Sequence, residues 1–122
     1  QNSPMNLKYL RLGCCSITDE GLHALADRAV NHSRVLDLDR NGSITSTGLS
    51  YLSSSIRSYS CRVETLYLQN ITIGDDGLEV LAQGLADNKS VRSLYLSDLH
   101  DDVSITSAGW VAFSRALCDT SS

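Results

Sequence analysis

No apolar run in the 122 residues approaches the ~20 that a helix needs to span a bilayer. The opening Gln1-Asn2-Ser3-Pro4 lacks the basic-then-apolar layout of a secretory signal, and no initiator Met precedes it. Basic residues are scarce too: ten Lys and Arg against fourteen Asp and Glu leave a net charge of −4, with no electrostatic footprint for a phosphate backbone or an anionic lipid surface. Neither nucleic acid nor membrane is therefore an expected partner. The four cysteines, Cys14, Cys15, Cys61 and Cys118, show no C-x-x-C spacing and are too sparse for a disulfide framework, which points to a reducing, intracellular (cytoplasmic) setting. Glycine-rich phosphate loops are absent, and no Ser, Cys and His combination forms a nucleophile motif, so His23 and His32 read as surface residues. The sequence predicts no catalytic residue, no cofactor and no metal, and hence no enzyme.

What the chain has is repetition. At 42% apolar it can bury one modest core, and the apolar residues return in a fixed pattern. Leu7-x-x-Leu10-x-Leu12-x-x-Cys15-x-Ile17 is followed by Leu36-x-Leu38-x-x-Asn41, by Val63-x-x-Leu66-x-Leu68-x-x-Ile71-x-Ile73 and by Val91-x-x-Leu94-x-Leu96-x-x-Leu99. The period is about 28 residues. After each strand-like run comes an Ile-Thr or Ile-Gly (Ile at 17, 44, 73, 105), a polar pair, a Gly (21, 48, 77, 109) and an apolar ladder at helical spacing. The ladders are Leu22, Leu25, Ala29; Leu49, Leu52, Ile56; Leu78, Leu81, Leu85; and Trp110, Phe113, Leu117, each one stripe on a helix that can pack on its own strand. Thr18, Thr45, Thr72 and Thr106 lie near the passage from loop to helix. The polar residues before each Gly are candidate N-caps, Asp75 or Asp76 in particular, and the Gly permits close helix-to-strand approach.

Strand plus helix at this period predicts an α/β solenoid, a curved arc with a parallel sheet on the concave face, helices on the convex face and about four repeats, at 5–32, 33–60, 61–88 and 89–122. One repeat cannot bury its own apolar face, so neighbours must stack. The last helix stops where a fifth strand would begin and neither end carries a polar capping repeat; the expectation is one domain, 1–122, forming a section of a longer array that packs against neighbouring repeats of its parent chain.

Three runs carry a family resemblance: Ile-Thr-Asp-Glu-Gly-Leu at 17 to 22, Ile-Gly-Asp-Asp-Gly-Leu at 73 to 78 and Leu-Ala-Gln-Gly-Leu-Ala-Asp-Asn at 81 to 88. They resemble the ribonuclease-inhibitor type of leucine-rich repeat, found in ribonuclease inhibitors, the sensing arms of nucleotide-binding immune receptors, tropomodulins and the Ran GTPase-activating protein. The resemblance spans nearly the whole chain and implies a scaffold that binds a protein on the strand side without chemistry of its own. At the position that the family fills with Asn or Cys stand Cys15, Asn41, Ile71 and Leu99, so its buried polar ladder is incomplete here. Cys15 and Asn41 are expected to be buried and Cys14 to face outward as a reactive thiol. With Asn41 buried, the Asn-x-Ser/Thr sites at Asn31, Asn41, Asn70 and Asn88 read as chance matches.

With the leucines inward, the residues between them form outward columns. These are Tyr9, Val35, Thr65, Ser93; then Arg11, Asp37, Tyr67, Tyr95; then Gly13, Asp39, Gln69, Ser97. The candidate partner-binding residues are Tyr9, Arg11, Asp37, Asp39, Tyr67, Gln69, Tyr95, Ser97 and Asp98, with Tyr67 and Tyr95 as anchors because aromatics dominate binding hot spots. Asp98 opens the loop Asp98-Leu99-His100-Asp101-Asp102, read as a solvated insertion that can also line the binding side. The rival chemistry is a calcium loop over Asp37-Leu38-Asp39-Arg40-Asn41-Gly42-Ser43-Ile44, but its twelfth position falls on Gly48 where a bidentate Glu belongs. The alternatives to a binding scaffold are a purely structural section of an array and a GTPase-activating or calcium-binding fragment.

Overall fold

The computed structural model describes residues 7–96 and 106–119, with side chains over 9–96 and 106–115. Strand and helix alternate four times: β1 (Leu7–Arg11), α1 (Asp19–His32), β2 (Ser33–Asp37), α2 (Ser46–Ile56), β3 (Thr65–Leu68), α3 (Gly74–Ala86), β4 (Ser93–Leu96) and α4 (Ser107–Asp119). The strands form one parallel sheet in the order β1-β2-β3-β4. Leu10, Leu36, Leu66 and Leu94 pair across it as the repeat pattern requires. The chain is an α/β solenoid of leucine-rich-repeat form.

Between sheet and helices lies the core. Leu36, Leu38, Leu66 and Leu68 of the central repeats meet Leu22, Leu49, Leu52, Ile56, Leu78 and Leu81 of the helices, all essentially without solvent contact. Each such side chain contributes about 1.5–3 kcal/mol of transfer free energy, so the stripes and not helix propensity hold the layers together. On the outer strands Leu10, Leu12, Leu94 and Leu96 are only half-buried, because just one neighbouring repeat covers them among the described residues. Leu7 and Leu117 have side chains outside the described set.

A polar skeleton ties each repeat to the next. Asn41 is fully buried; its amide donates to Leu12 O and Leu38 O, both at 2.9 Å, and its Oδ1 accepts from Ile17 N at 2.9 Å. This corrects the expectation for Cys15, which is exposed. The turn groups it would have served, Leu12 O and Ile17 N, are taken by Asn41, and the flanking left-handed Cys14 (φ 60°) and Ser16 (φ 55°) leave its thiol 3.5 Å from Gly13 O. Cys14 is exposed as expected. Left-handed backbone recurs at the equivalent positions of the next two turns, Arg40 (φ 64°) and Asn70 (φ 61°).

Capping also departs from expectation. Thr18 and Thr45 cap α1 and α2, with Oγ1 accepting from Gly21 N at 3.1 Å and Thr47 N at 3.2 Å, and Thr106 Oγ1 accepts from Gly109 N at 3.3 Å. The third helix begins instead at Gly74, which is left-handed (φ 69°), with Ile73 at the N-cap and no side-chain cap bond; Thr72 lies one residue ahead of it. Asp75 does not cap its own helix: it reaches into the next repeat, where its two oxygens accept from Thr106 N at 2.8 Å and Thr106 Oγ1 at 2.7 Å. Asp19 does the same to Thr45.

These aspartates explain the glycines better than helix-to-strand approach does. A Cβ at Gly48 would collide with the Asp19 carboxylate and one at Gly109 with that of Asp75, while at Gly77 it would lie 2.7 Å from Ile73 Cγ2 of its own turn and 2.9 Å from Leu49 Cδ1 of the preceding repeat. At Gly21 the nearest atoms are 3.6 Å away, an ordinary contact. Gly84 plays the same part between α2 and α3: it faces Ser53, whose Oγ donates to Val80 O at 2.6 Å.

Candidate interaction face

On the outward side of the sheet the register aligns Tyr9 with Val35, Thr65 and Ser93, and Arg11 with Asp37, Tyr67 and Tyr95. The third column extends past the strand ends through backbone bonds from Cys14 N to Asp39 O (3.0 Å) and Arg40 N to Gln69 O (2.9 Å). Of the nine candidate residues, Tyr9, Arg11 and Tyr95 are exposed and Asp37, Asp39, Tyr67 and Gln69 half-buried. Ser97, Asp98 and the loop through Asp102 lie outside the described residues.

Two aromatic groupings stand on this face. Tyr67 and Tyr95 stack with centroids 4.6 Å apart and planes 8° from parallel, close to the strand spacing of about 4.8 Å. Their rings therefore face along the row, one side of Tyr67 being covered by Tyr95 and the other looking toward Asp37. At the far side, the Arg11 guanidinium carbon sits 5.5 Å from the centroid of Tyr9.

Between them are the two carboxylates. Asp37 Oδ1 accepts from Asp39 N at 2.9 Å, and Asp39 Oδ1 accepts from Gln69 N at 2.6 Å, so Asp39 staples the second repeat to the third. Partial burial pushes the Asp39 carboxyl above the usual aspartate range; the Gln69 N–H opposes that, the neighbouring Asp37 charge adds to it, and Arg40 offsets a part. Among the described residues the one ion pair is Arg57 with Asp87, at 3.3 Å and remote from this face, so neither Asp37 nor Asp39 is paired with a cation. The segment 37–44 is thus a strand end and repeat turn whose Asn41 amide is spent inside the fold, which is the reading that competes with a calcium loop.

Sequence reasoning placed the columns but not the structural duties of their acids, because a backbone N–H of the following repeat has no signature in the residue string. Among the described residues no group of three or more His, Cys, Asp or Glu could hold a metal ion, and no helix is long and apolar enough to cross a membrane. Depressions also lie elsewhere among the described residues. An apolar one of about 510 Å³ opens beside β4 and α4, lined by Leu85, Val91, Leu94, Leu96, Trp110 and Phe113. A polar one of about 470 Å³ lies at the start of α3, between Thr45, Ser46, Thr72 and Asp76. Tyr59, in the turn before β3, is fully exposed and was not singled out by the repeat pattern, since it lies between repeat positions.

The repeat is shared with known proteins. The family model described as leucine-rich repeat matches residues 3–26 and 34–53. The chain is 32% identical over 97 residues to mouse NACHT, LRR and PYD domains-containing protein 14, covering 79% of this chain and 10% of that protein. It is 31% identical over 104 residues to mouse NACHT, LRR and PYD domains-containing protein 12 (83% of this chain, 10% of the relative), and 29% identical over 93 residues to human NACHT, LRR and PYD domains-containing protein 5 (75% and 8%). The chain thus spans about a tenth of the length of the curated relatives it matches. Four strand–helix units, the stacked leucines, a family model over the first two of those units and these likenesses have one account: the chain is a leucine-rich-repeat protein, a module of the kind built for protein interaction.

Proposed function

We propose that the chain is a non-catalytic scaffold that binds a partner protein on the outward face of its sheet, the concave side of the solenoid. The observation that carries this is the Tyr67–Tyr95 stack, with Tyr95 43% exposed: two aromatic rings held rigid at small entropic cost on the outward face. Tyr9, Arg11, Asp37, Asp39 and Gln69 surround it and set orientation and partner charge, with Ser97 continuing the third column in sequence and Asp98 following it. The free Cys14 and Cys15 thiols suit work inside the cell.

Affinity capture from native lysate tests the reading, comparing the chain with a Tyr67→Ala, Tyr95→Ala, Asp37→Lys variant of unchanged circular dichroism. A partner held only by the unmodified chain, and bound directly after purification, supports it; equal capture by both moves the site to the convex helices or the loop after β4.

A second reading is favoured by one observation. Leu94 and Leu96 of β4 are half-buried where their counterparts Leu36, Leu38, Leu66 and Leu68 are sealed, beside the apolar depression of about 510 Å³. The domain 1–122 then also serves as a section of a longer array, with a further repeat seated against β4 and α4.

A further inference from the structure

We propose that the slot above Asp37, walled by the open face of Tyr67, receives an arginine side chain of the partner, so that the bound segment is one that presents a guanidinium to the sheet. This rests on the reading of the sheet face as the binding side and adds the chemistry of what is bound there.

The shape follows from the row Arg11, Asp37, Tyr67, Tyr95. Strands lie about 4.8 Å apart, so Arg11 and Tyr67 rise on either side of Asp37 with roughly 10 Å between their backbones. Asp37 is the short side chain of the three and forms a floor. Tyr95 covers one side of Tyr67 at 4.6 Å, which fixes the ring upright and turns its other face to the slot. A planar group lying about 3.5–4 Å from that face would stand over the carboxylates.

The charge follows from what the carboxylates already do. Asp37 and Asp39 each give one oxygen, Oδ1, to a backbone N–H, which orients both carboxylates; the second oxygen of each has no protein donor among the described residues. Neither takes part in an ion pair among the described residues, although Arg11 is the strand neighbour of Asp37 in the register, its guanidinium lying instead against Tyr9. Two like charges, one partly desolvated, are held together with no ion-pair partner among the described residues; burial raises the Asp39 carboxyl, the Gln69 N–H opposes that, the Asp37 charge adds to it and Arg40 offsets only a part. A guanidinium supplies planar stacking on Tyr67 and paired donors for the free oxygens at once; a lysine ammonium supplies the charge without the plane.

The experiment titrates the chain with end-capped hexa-arginine, hexa-lysine and hexa-citrulline peptides by calorimetry. Citrulline keeps the shape and loses the charge. The expected order is arginine, then lysine, then citrulline, with about tenfold or more between the first and last. Tyr67→Ala should weaken the arginine peptide about fivefold, and so should Asp37→Asn with Asp39→Asn. The two Asn variants keep an oxygen for the backbone bonds and so keep the fold. Glu79→Gln, which removes an exposed charge from a helix, should change nothing. Equal binding of the citrulline peptide overturns the proposal, as does arginine binding that falls with Glu79→Gln as much as with the sheet-face variants, since that is diffuse attraction to a chain of charge −4. If the arginine peptide fails while the sheet-face triple variant still loses its captured partner, the arginine slot is wrong and the sheet-face reading stands.

Discussion

Asp19 of the first repeat holds Thr45 of the second by two bonds, one to its backbone N–H at 2.7 Å and one to its hydroxyl at 2.5 Å, while Thr45 itself caps α2. Asp75 and Thr106 repeat the arrangement two units later. Between the second and third repeats Ser46 and Gly74 occupy the two places, and the tie there is made elsewhere, by Asp39 to Gln69 N, Ser53 to Val80 O and Asn88 Nδ2 to Ile56 O.

The clamp predicts a coupling. Asp19→Ala should cost about 1–3 kcal/mol through the loss of two charge-assisted bonds. Gly48→Ala should also destabilise the native chain, because its methyl group meets the Asp19 carboxylate, yet cost much less in the Asp19→Ala background. Urea unfolding of the four proteins reads the cycle; additive losses would mean that the glycine is there for another reason.

Asn41 serves three backbone groups in two repeats. Its replacement by Ala should cost about 3 kcal/mol or more, because Leu12 O, Leu38 O and Ile17 N lose their partner in a dry site. A loss under about 1 kcal/mol would show that other donors fill in.

Ser33 stands at the repeat position held by Val63 and Val91, is 1% exposed, and its hydroxyl has no hydrogen-bond partner among the described residues. Ser33→Ala should therefore raise stability, by up to about 1 kcal/mol, as an unpaired buried hydroxyl is removed. A melting temperature that falls would contradict this.

The pH dependence of Asp39 has a definite sign. Its carboxyl titrates higher folded than unfolded, so the folded chain binds more protons between the usual aspartate range and that raised value. Across this window its contribution to stability falls as pH rises, leaving at neutral pH a penalty that disappears in acid. Asp39→Asn, which keeps an oxygen for Gln69 N, should be at least as stable as the native chain at neutral pH, with any advantage shrinking toward acid. Unfolding midpoints across the acid range check the direction.

The leucines made the fold legible, since their spacing fixes both the strand register and the face left outward. Tyr67 and Tyr95 could be put in one row from the sequence alone because a parallel register follows from the repeat. Their stacking was not legible, as it depends on rotamers. Nor were the partners of Asp19, Asp39 and Asp75: an acid before a helix reads as a cap for that helix, and only the offset of one repeat against the next sends Asp19 and Asp75 forward instead. Cys15 was misread for a related cause. The burial expected from its place in the repeat is realised only where a side chain can reach the turn groups, and Asn41 reaches those of both turns.

The left-handed residues at the top of the three described turns bear on how such an array varies. Cys14, Arg40 and Asn70 hold the same backbone geometry, with φ between 60° and 64°, and none is glycine. For side chains other than Asn this costs on the order of 1 kcal/mol. Of the three described turns two carry this cost, at Cys14 and Arg40, while Asn70 escapes it. Exchange to glycine at Cys14 and Arg40 is thus a pair of independent dials on rigidity, each set by one codon and neither touching a leucine.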